Sequence, residues 1–176
     1  MSETRLLLPF KQGVKILALE YAVLLAKSRD ATLVPLSLIQ VSNGCGTKGA
    51  RLEHIQQSKD FLAAVAHQAT KYAVPIEPIE IFTSDVVKSI GSHAQSSNCE
   101  GILLFVSEGD DILLPIGDVK HVLTRVSSKH HVIHLQSIKK HSRSGSLLKR
   151  VMNRTLEVKR SLEQILRNSP TFLRAS

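Results

Sequence analysis

Apolar residues along the first 138 positions fall in blocks whose period switches between that of a strand and that of a helix. Arg5–Phe10 (RLLLPF) is a short apolar run, closed by Pro9 and Gly13, and reads as a buried strand. Residues 14–28 place Ile16, Leu17, Leu19, Tyr21, Val23, Leu24 and Leu25 among good helix formers, which predicts a helix with a broad buried face. Residues 32–41 are apolar and β-branched and predict a second strand, with Pro35 marking a strand start or an irregular edge position. A glycine-rich loop follows at 42–49. Leu52, Ile55, Phe61, Leu62, Val65, Ala66 and Ala69 then recur near helical spacing over 50–72, and Pro75 ends that helix. Residues 76–82 alternate apolar and polar, the period of a strand with one wetter face. Thr83, Ser84 and Asp85 offer N-cap oxygens to a helix running to about Ser97. Gly101–Val106 is continuously apolar, as a central parallel strand covered on both faces should be. A helix over 118–127 and a strand over 132–136 complete the series.

Strands that alternate with helices pair in parallel through right-handed crossovers, so the pattern predicts an α/β domain with helices on both faces of one sheet. It ends near residue 138, which divides the chain into a domain at 1–138 and an appendage at 139–176. Residues 139–145 (KKHSRSG) are basic and polar. Beyond them Leu148, Val151, Thr155, Val158, Leu162 and Ile165 alternate spacings of three and four, the seam of a C-terminal amphipathic helix that Pro170 closes. A lone helix of that length is marginal in water, so it needs a partner surface.

Composition narrows the class. A hydrophobic fraction of 43% and a charged fraction of 22% are globular values. No apolar run approaches the roughly 20 residues that cross a bilayer, and the Arg5–Phe10 run is too short for a signal peptide. A cytoplasmic location is therefore expected. The only cysteines, Cys45 and Cys99, make no disulfide framework and suit a reducing compartment. The net charge of +8 is unevenly placed: from Lys139 onward ten basic residues face only Glu157 and Glu163, so the whole excess lies in the appendage.

The segment 18–27 (ALEYAVLLAK) resembles the first helix of universal stress proteins, which likewise follows a short strand and a brief loop and leads into a strand like 31–41. The resemblance continues through the capped helix, polar turn and apolar strand of 85–106 and the helix and strand of 118–136. It covers residues 1–138 and excludes the appendage. It implies a five-stranded parallel sheet of order 3-2-1-4-5. The family's ATP-binding motif follows the fourth strand: Gly, two residues, Gly, nine residues, Gly, then Ser or Thr, with backbone amides facing the phosphates. Here the first position is Val106, the second Gly109, and Gly117 comes after seven residues rather than nine; Asp118 replaces the hydroxyl. Glu108, Asp110, Asp111 and Asp118 would repel a triphosphate. Where the family's ATP binders carry an Asp after the first strand, this chain has Phe10 and Lys11. The resemblance therefore implies a member with no cofactor at that motif.

Other constellations carry little chemistry. Residues 44–49 (GCGTKG) miss the phosphate-loop spacing, because Gly49 follows Lys48 where Ser or Thr belongs. His130, His131 and His134 have no Cys or carboxylate at metal-ligand spacing, so no metal is expected. Nothing in the order of residues builds a catalytic triad.

The expected function, implied by the resemblance, is that of a non-enzymatic stress-response or regulatory protein acting by protein association. A second reading is a divergent nucleotide-binding protein or weak ATPase using the crevice at the strand C-termini. A third is an adaptor docking its basic helix on an anionic membrane, nucleic acid or an acidic partner. A homodimer is also expected. The last strand, with Val132 and Ile133, would leave an open sheet edge, and the seam of Leu148, Val151, Val158, Leu162 and Ile165 needs cover. The narrowness of that seam favours packing on protein over lying in a bilayer.

Overall fold

The computed structural model describes residues 4–42, 49–107 and 109–135. Along them strands and helices alternate: β1 (Arg5–Phe10), α1 (Ile16–Ser28), β2 (Thr32–Gln40), α2 (Leu52–Tyr72), β3 (Ile79–Thr83), α3 (Val86–Ser96), β4 (Gly101–Val106), α4 (Ile116–Arg125) and β5 (His130–His134). The strands form one parallel sheet in the order β3-β2-β1-β4-β5, as expected. Strand side chains alternate between two apolar layers. Leu6, Leu8, Phe10, Leu33, Leu103 and Phe105 meet α1 and α2 on one face. Leu7, Val34, Leu36, Leu38, Ile102 and Leu104 meet α3 and α4 on the other. Burial on both faces explains why β1, β2 and β4 read as continuous apolar runs.

Several boundaries differ from the sequence pattern, each for a local reason. Pro35 lies inside β2, a central strand, rather than at an edge. Leu33 gives both its N–H and its C=O to the β3 side, to Pro75 and Glu77. By strand alternation Pro35 faces that side too, at a point before the β2–β3 ladder opens at Leu36–Ile79. Its missing donor thus removes no ladder bond. The third strand begins at Ile79, not residue 76; Ile76 contributes an isolated bridge to Leu33. The fourth helix starts at Ile116, two residues earlier than the polar pattern suggested, because the Asp111 carboxylate accepts from Ile116 N–H at 3.0 Å. The last strand is His130–His134 rather than 132–136, so the histidine pair lies in the sheet, paired with Ile102 and Leu103. Asp85 caps α3 as expected, accepting from Lys88 N–H at 3.0 Å. The glycine-rich loop at 43–48, with Cys45, and the C-terminal amphipathic helix lie outside the described residues.

Candidate functional site

In an open parallel sheet, ligands enter at the C-terminal ends of the strands where the direction of winding reverses. Here that point lies between β1 and β4. Their pairing holds only at Leu6–Gly101 and Leu7–Ile102. Arg5 accepts from Glu100 N–H on the β4 side, so alternation turns Pro9 toward β4 as well, where it has no N–H to give. The two strands therefore separate above Leu7, and a crevice opens between them.

The chain fills that crevice itself. Ile112, Leu113 and Leu114, from the loop joining β4 to α4, are each 2% exposed. Ile112 and Leu113 join the apolar cluster of Phe10 on one side of the sheet, and Leu114 joins the cluster on the other. Backbone bonds tie this plug to the β1–α1 loop: Lys11 N–H and Gln12 N–H both donate to the Leu113 carbonyl, at 2.7 and 3.2 Å, and Leu113 N–H donates to the Gly13 carbonyl at 3.1 Å. Leu113 holds a φ of 62°, a left-handed conformation that costs a Leu about 1–2 kcal/mol and persists only where its surroundings impose it. Gly13 has a φ of 76°, and a Cβ there would stand 2.5 Å from the Asp111 carbonyl oxygen. Only glycine lets the two loops approach this closely.

Two of the nearby carboxylates, Asp110 and Asp118, are paired with lysines of the chain itself. Lys11 Nζ lies 3.1 Å from Asp118, both side chains about four-fifths buried. Lys15 Nζ lies 2.6 Å from Asp110, and Gln12 Nε2 donates to Asp111 at 3.2 Å. Carboxylates that on sequence grounds would repel a phosphate instead bind the β1–α1 loop to the plug. Phe10 is turned away to stack on Phe61 of α2, centroids 4.2 Å apart.

Beside the plug, between the first turn of α3 and the inner side of α4, lies an open cleft of about 640 Å³. Lys11, Gln40 and Thr83, which end or follow β1, β2 and β3, form its floor. Ser84, Asp85 and Lys88 form one wall, and Asp118, His121 and Arg125 the other. No described residue of the plug lines it.

The residues singled out in the sequence are scattered. Val106 ends β4, half-buried against α3 and α4. Gly109 sits in the turn with a φ of 80° and open space around it. Gly117 and Asp118 lie in the first turn of α4. Glu108 lies outside the described residues, as do Leu148, Val151, Val158, Leu162 and Ile165. Val132 is 43% exposed on β5, whereas Ile133 turns inward against the core. His131 Nε2 stands 3.3 Å from Arg29 Nη1. Burial, with the neighbouring Arg29 and Lys129, lowers its pKa to about 4. His130 points to the opposite face, and burial lowers its pKa too. Among the described residues no group of three or more His, Cys, Asp or Glu is placed to hold a metal ion. Burial raises the Cys99 thiol pKa. Sequence reasoning missed the plug. Its signal is the apolar triplet Ile112-Leu113-Leu114 directly after an acidic turn, where a solvated loop would be polar.

No family model matches the sequence, and no curated protein matches it. Solved structures of similar fold are universal stress proteins. That of Archaeoglobus fulgidus in complex with dAMP aligns with a TM-score of 0.58 at 13% identity, covering 75% of this chain and 98% of that one. A universal stress protein family member from Burkholderia pseudomallei gives 0.57 at 17% identity, covering 73% and 94%. A universal stress protein in complex with cAMP gives 0.53 at 13% identity, covering 75% and 96%. The likeness is one of fold. Among the described residues no helix is long and apolar enough to cross a membrane.

Proposed function

We propose that this chain is a universal stress protein whose nucleotide crevice is occupied by its own β4–α4 loop, and that it acts as a non-enzymatic regulatory or stress-response protein through association with other proteins. The observation that carries the reading is the plug: Ile112, Leu113 and Leu114 are buried against the clusters on the two faces of the sheet, and the Lys11–Asp118 pair ties the β1–α1 loop to the first turn of α4 beside it. A nucleotide entering there must displace three buried apolar side chains and the backbone bonds at Leu113. Burial of a Leu or Ile side chain is worth about 1.5–3 kcal/mol, so displacement alone would weaken an otherwise micromolar site beyond the millimolar range. Two of the solved structures of like fold are complexes with dAMP and cAMP, so nucleotides are the ligands to test. Calorimetry of the full chain with ATP and Mg²⁺ should register no micromolar binding; such binding would sink the proposal.

The mode of association in this reading is a homodimer in the cytoplasm. Among the described residues the edge strand β5 pairs only with β4 and presents Val132 to solvent, an edge that native proteins cover or blunt. The basic segment from Lys139 onward is a second surface for an acidic protein, nucleic acid or an anionic membrane.

A further inference from the structure

We infer that β5 is an acid-released edge of the sheet, held at its start by the unprotonated ring of His131. Among the described residues β5 pairs only with β4. Two backbone bonds bracket that pairing: Ile102 N–H donates to the Lys129 carbonyl and Leu135 N–H to the Val106 carbonyl, each at 2.9 Å. At its start the His131 ring lies on the backbone of Gly101, where a Cβ would stand 2.6 Å from Nε2. Arg29, just past α1, brings Nη1 to 3.3 Å from the same Nε2. A guanidinium has donors and no acceptor, so this bond needs the lone pair of a neutral ring whose proton is on Nδ1. An imidazolium has no lone pair to give, and its Nε2 proton would face the guanidinium. The charged and titratable groups around the ring are Arg29, Lys129, Glu100 and His130. Glu100 is the one carboxylate of the four, and its Oε1 already lies 3.3 Å from Lys129 Nζ and 3.6 Å from Arg29 Nη1. His130 points to the opposite face, and its buried Nε2 has no partner among the described residues. Protonation of His131 therefore sets three cations around one carboxylate and removes the bond that seats the ring. The ring escapes by leaving the Gly101 slot, which frees the start of β5. Burial, Arg29 and Lys129 lower its pKa to about 4 while it is seated. Once free it takes a proton near the ordinary value of about 6.5, so opening grows steadily as pH falls below that value. The limit is about tenfold per pH unit, and solvent screening at the partly buried ring reduces it to about three- to fivefold. The device works whether or not the crevice between β1 and β4 is plugged.

The test is hydrogen exchange of the full chain, read by mass spectrometry at submicromolar concentration from pH 7.5 to 5 and corrected for intrinsic exchange rates. The opening constant of β5 should rise about three- to fivefold per pH unit below 6.5 and exceed that of β1 at every pH, the mark of local rather than global opening. His131→Gln keeps a side-chain oxygen to accept from Arg29 but does not titrate, so its β5 slope should flatten. His130→Gln leaves the Arg29 contact in place and should keep most of the slope. Gly101→Ala displaces the ring by contact alone, so β5 should open more at pH 7.5 and respond less to acid. Circular dichroism at pH 7.5 verifies that each variant is folded. In the wild-type chain the His131 ring signals should titrate near pH 4, a measurement that needs no variant. A level β5 opening constant overturns the inference, as do opening of β5 and β1 in step, an unchanged slope in His131→Gln, a larger loss of slope in His130→Gln, or a His131 titration near pH 6.5.

Discussion

Placing a methyl group at Gly13 tests whether the crevice is sealed by close loop contact. Gly13 and Gly109 both have left-handed backbones, with φ of 76° and 80°, so Ala at either meets the same conformational cost of about 1–2 kcal/mol. Their surroundings differ. A Cβ at Gly109 meets no atom within 4 Å, whereas one at Gly13 would stand 2.5 Å from the Asp111 carbonyl oxygen and 3.3 Å from its carbon. That neighbour is backbone and cannot swing aside, so the loops must separate. Overpacking of this kind costs about 1–3 kcal/mol, and each hydrogen bond lost from the Leu113 set adds about 1 kcal/mol. Gly13→Ala should therefore cost about 3–6 kcal/mol and Gly109→Ala about 1–2 kcal/mol. At roughly 4 °C per kcal/mol for a domain of this size, the melting temperature should fall by about 12–24 °C in the first case and about 4–8 °C in the second. Urea unfolding of the full-length variants, read by circular dichroism, measures the difference directly. Equal losses at the two sites would refute the claim that the β1–α1 loop is seated against the plug.

Other expectations follow from single contacts. Lys11→Met should cost about 1–2 kcal/mol by leaving the largely buried Asp118 unpaired, and adding Asp118→Leu should recover most of it; a thermodynamic cycle measures the coupling. His131 has its pKa lowered to about 4 by burial, then by Arg29 and Lys129. The unfolded chain then binds the extra proton first, and stability should fall as pH drops from about 6.5 to 4. Solvent screening at the partly buried ring limits that loss to about 1–2 kcal/mol, and His131→Gln should flatten the slope in pH-resolved unfolding. Val132→Lys should convert the proposed dimer to a monomer in sedimentation velocity at micromolar concentration, with little change in monomer stability; an unchanged mass, or a monomeric wild type, contradicts the edge-strand dimer.

Much of the fold could be read from spacing alone. The alternation of apolar runs with helical patterns marks all five strands and four helices, because burial on both faces of a parallel sheet leaves continuous apolar blocks at β1, β2 and β4. The errors arose where side chains do not report pairing. Pro35 signals an edge by residue type, yet sits in a central strand where the neighbouring ladder has not begun. His130 and His131 are polar by type but pair with β4, because strand register is fixed by the partner. The departure from the family's motif spacing was read at Val106, Gly109, Gly117 and Asp118. What replaces it was not, since the plug depends on Gly13 meeting Asp111 across nearly a hundred residues. The α3–α4 cleft was equally hidden: Lys88, His121 and Arg125 look like ordinary surface residues until the fold places them at one opening.

The central claim is that the chain's own loop holds the switch point against nucleotide. The most direct measurement is amide NMR of the full chain during an ATP–Mg²⁺ titration, following Lys11, Gln12 and Leu113, whose N–H groups make the bonds that close the plug. The account predicts that these three signals stay in place at micromolar ATP. Saturable micromolar shifts of all three would show that the crevice opens to nucleotide and would contradict it.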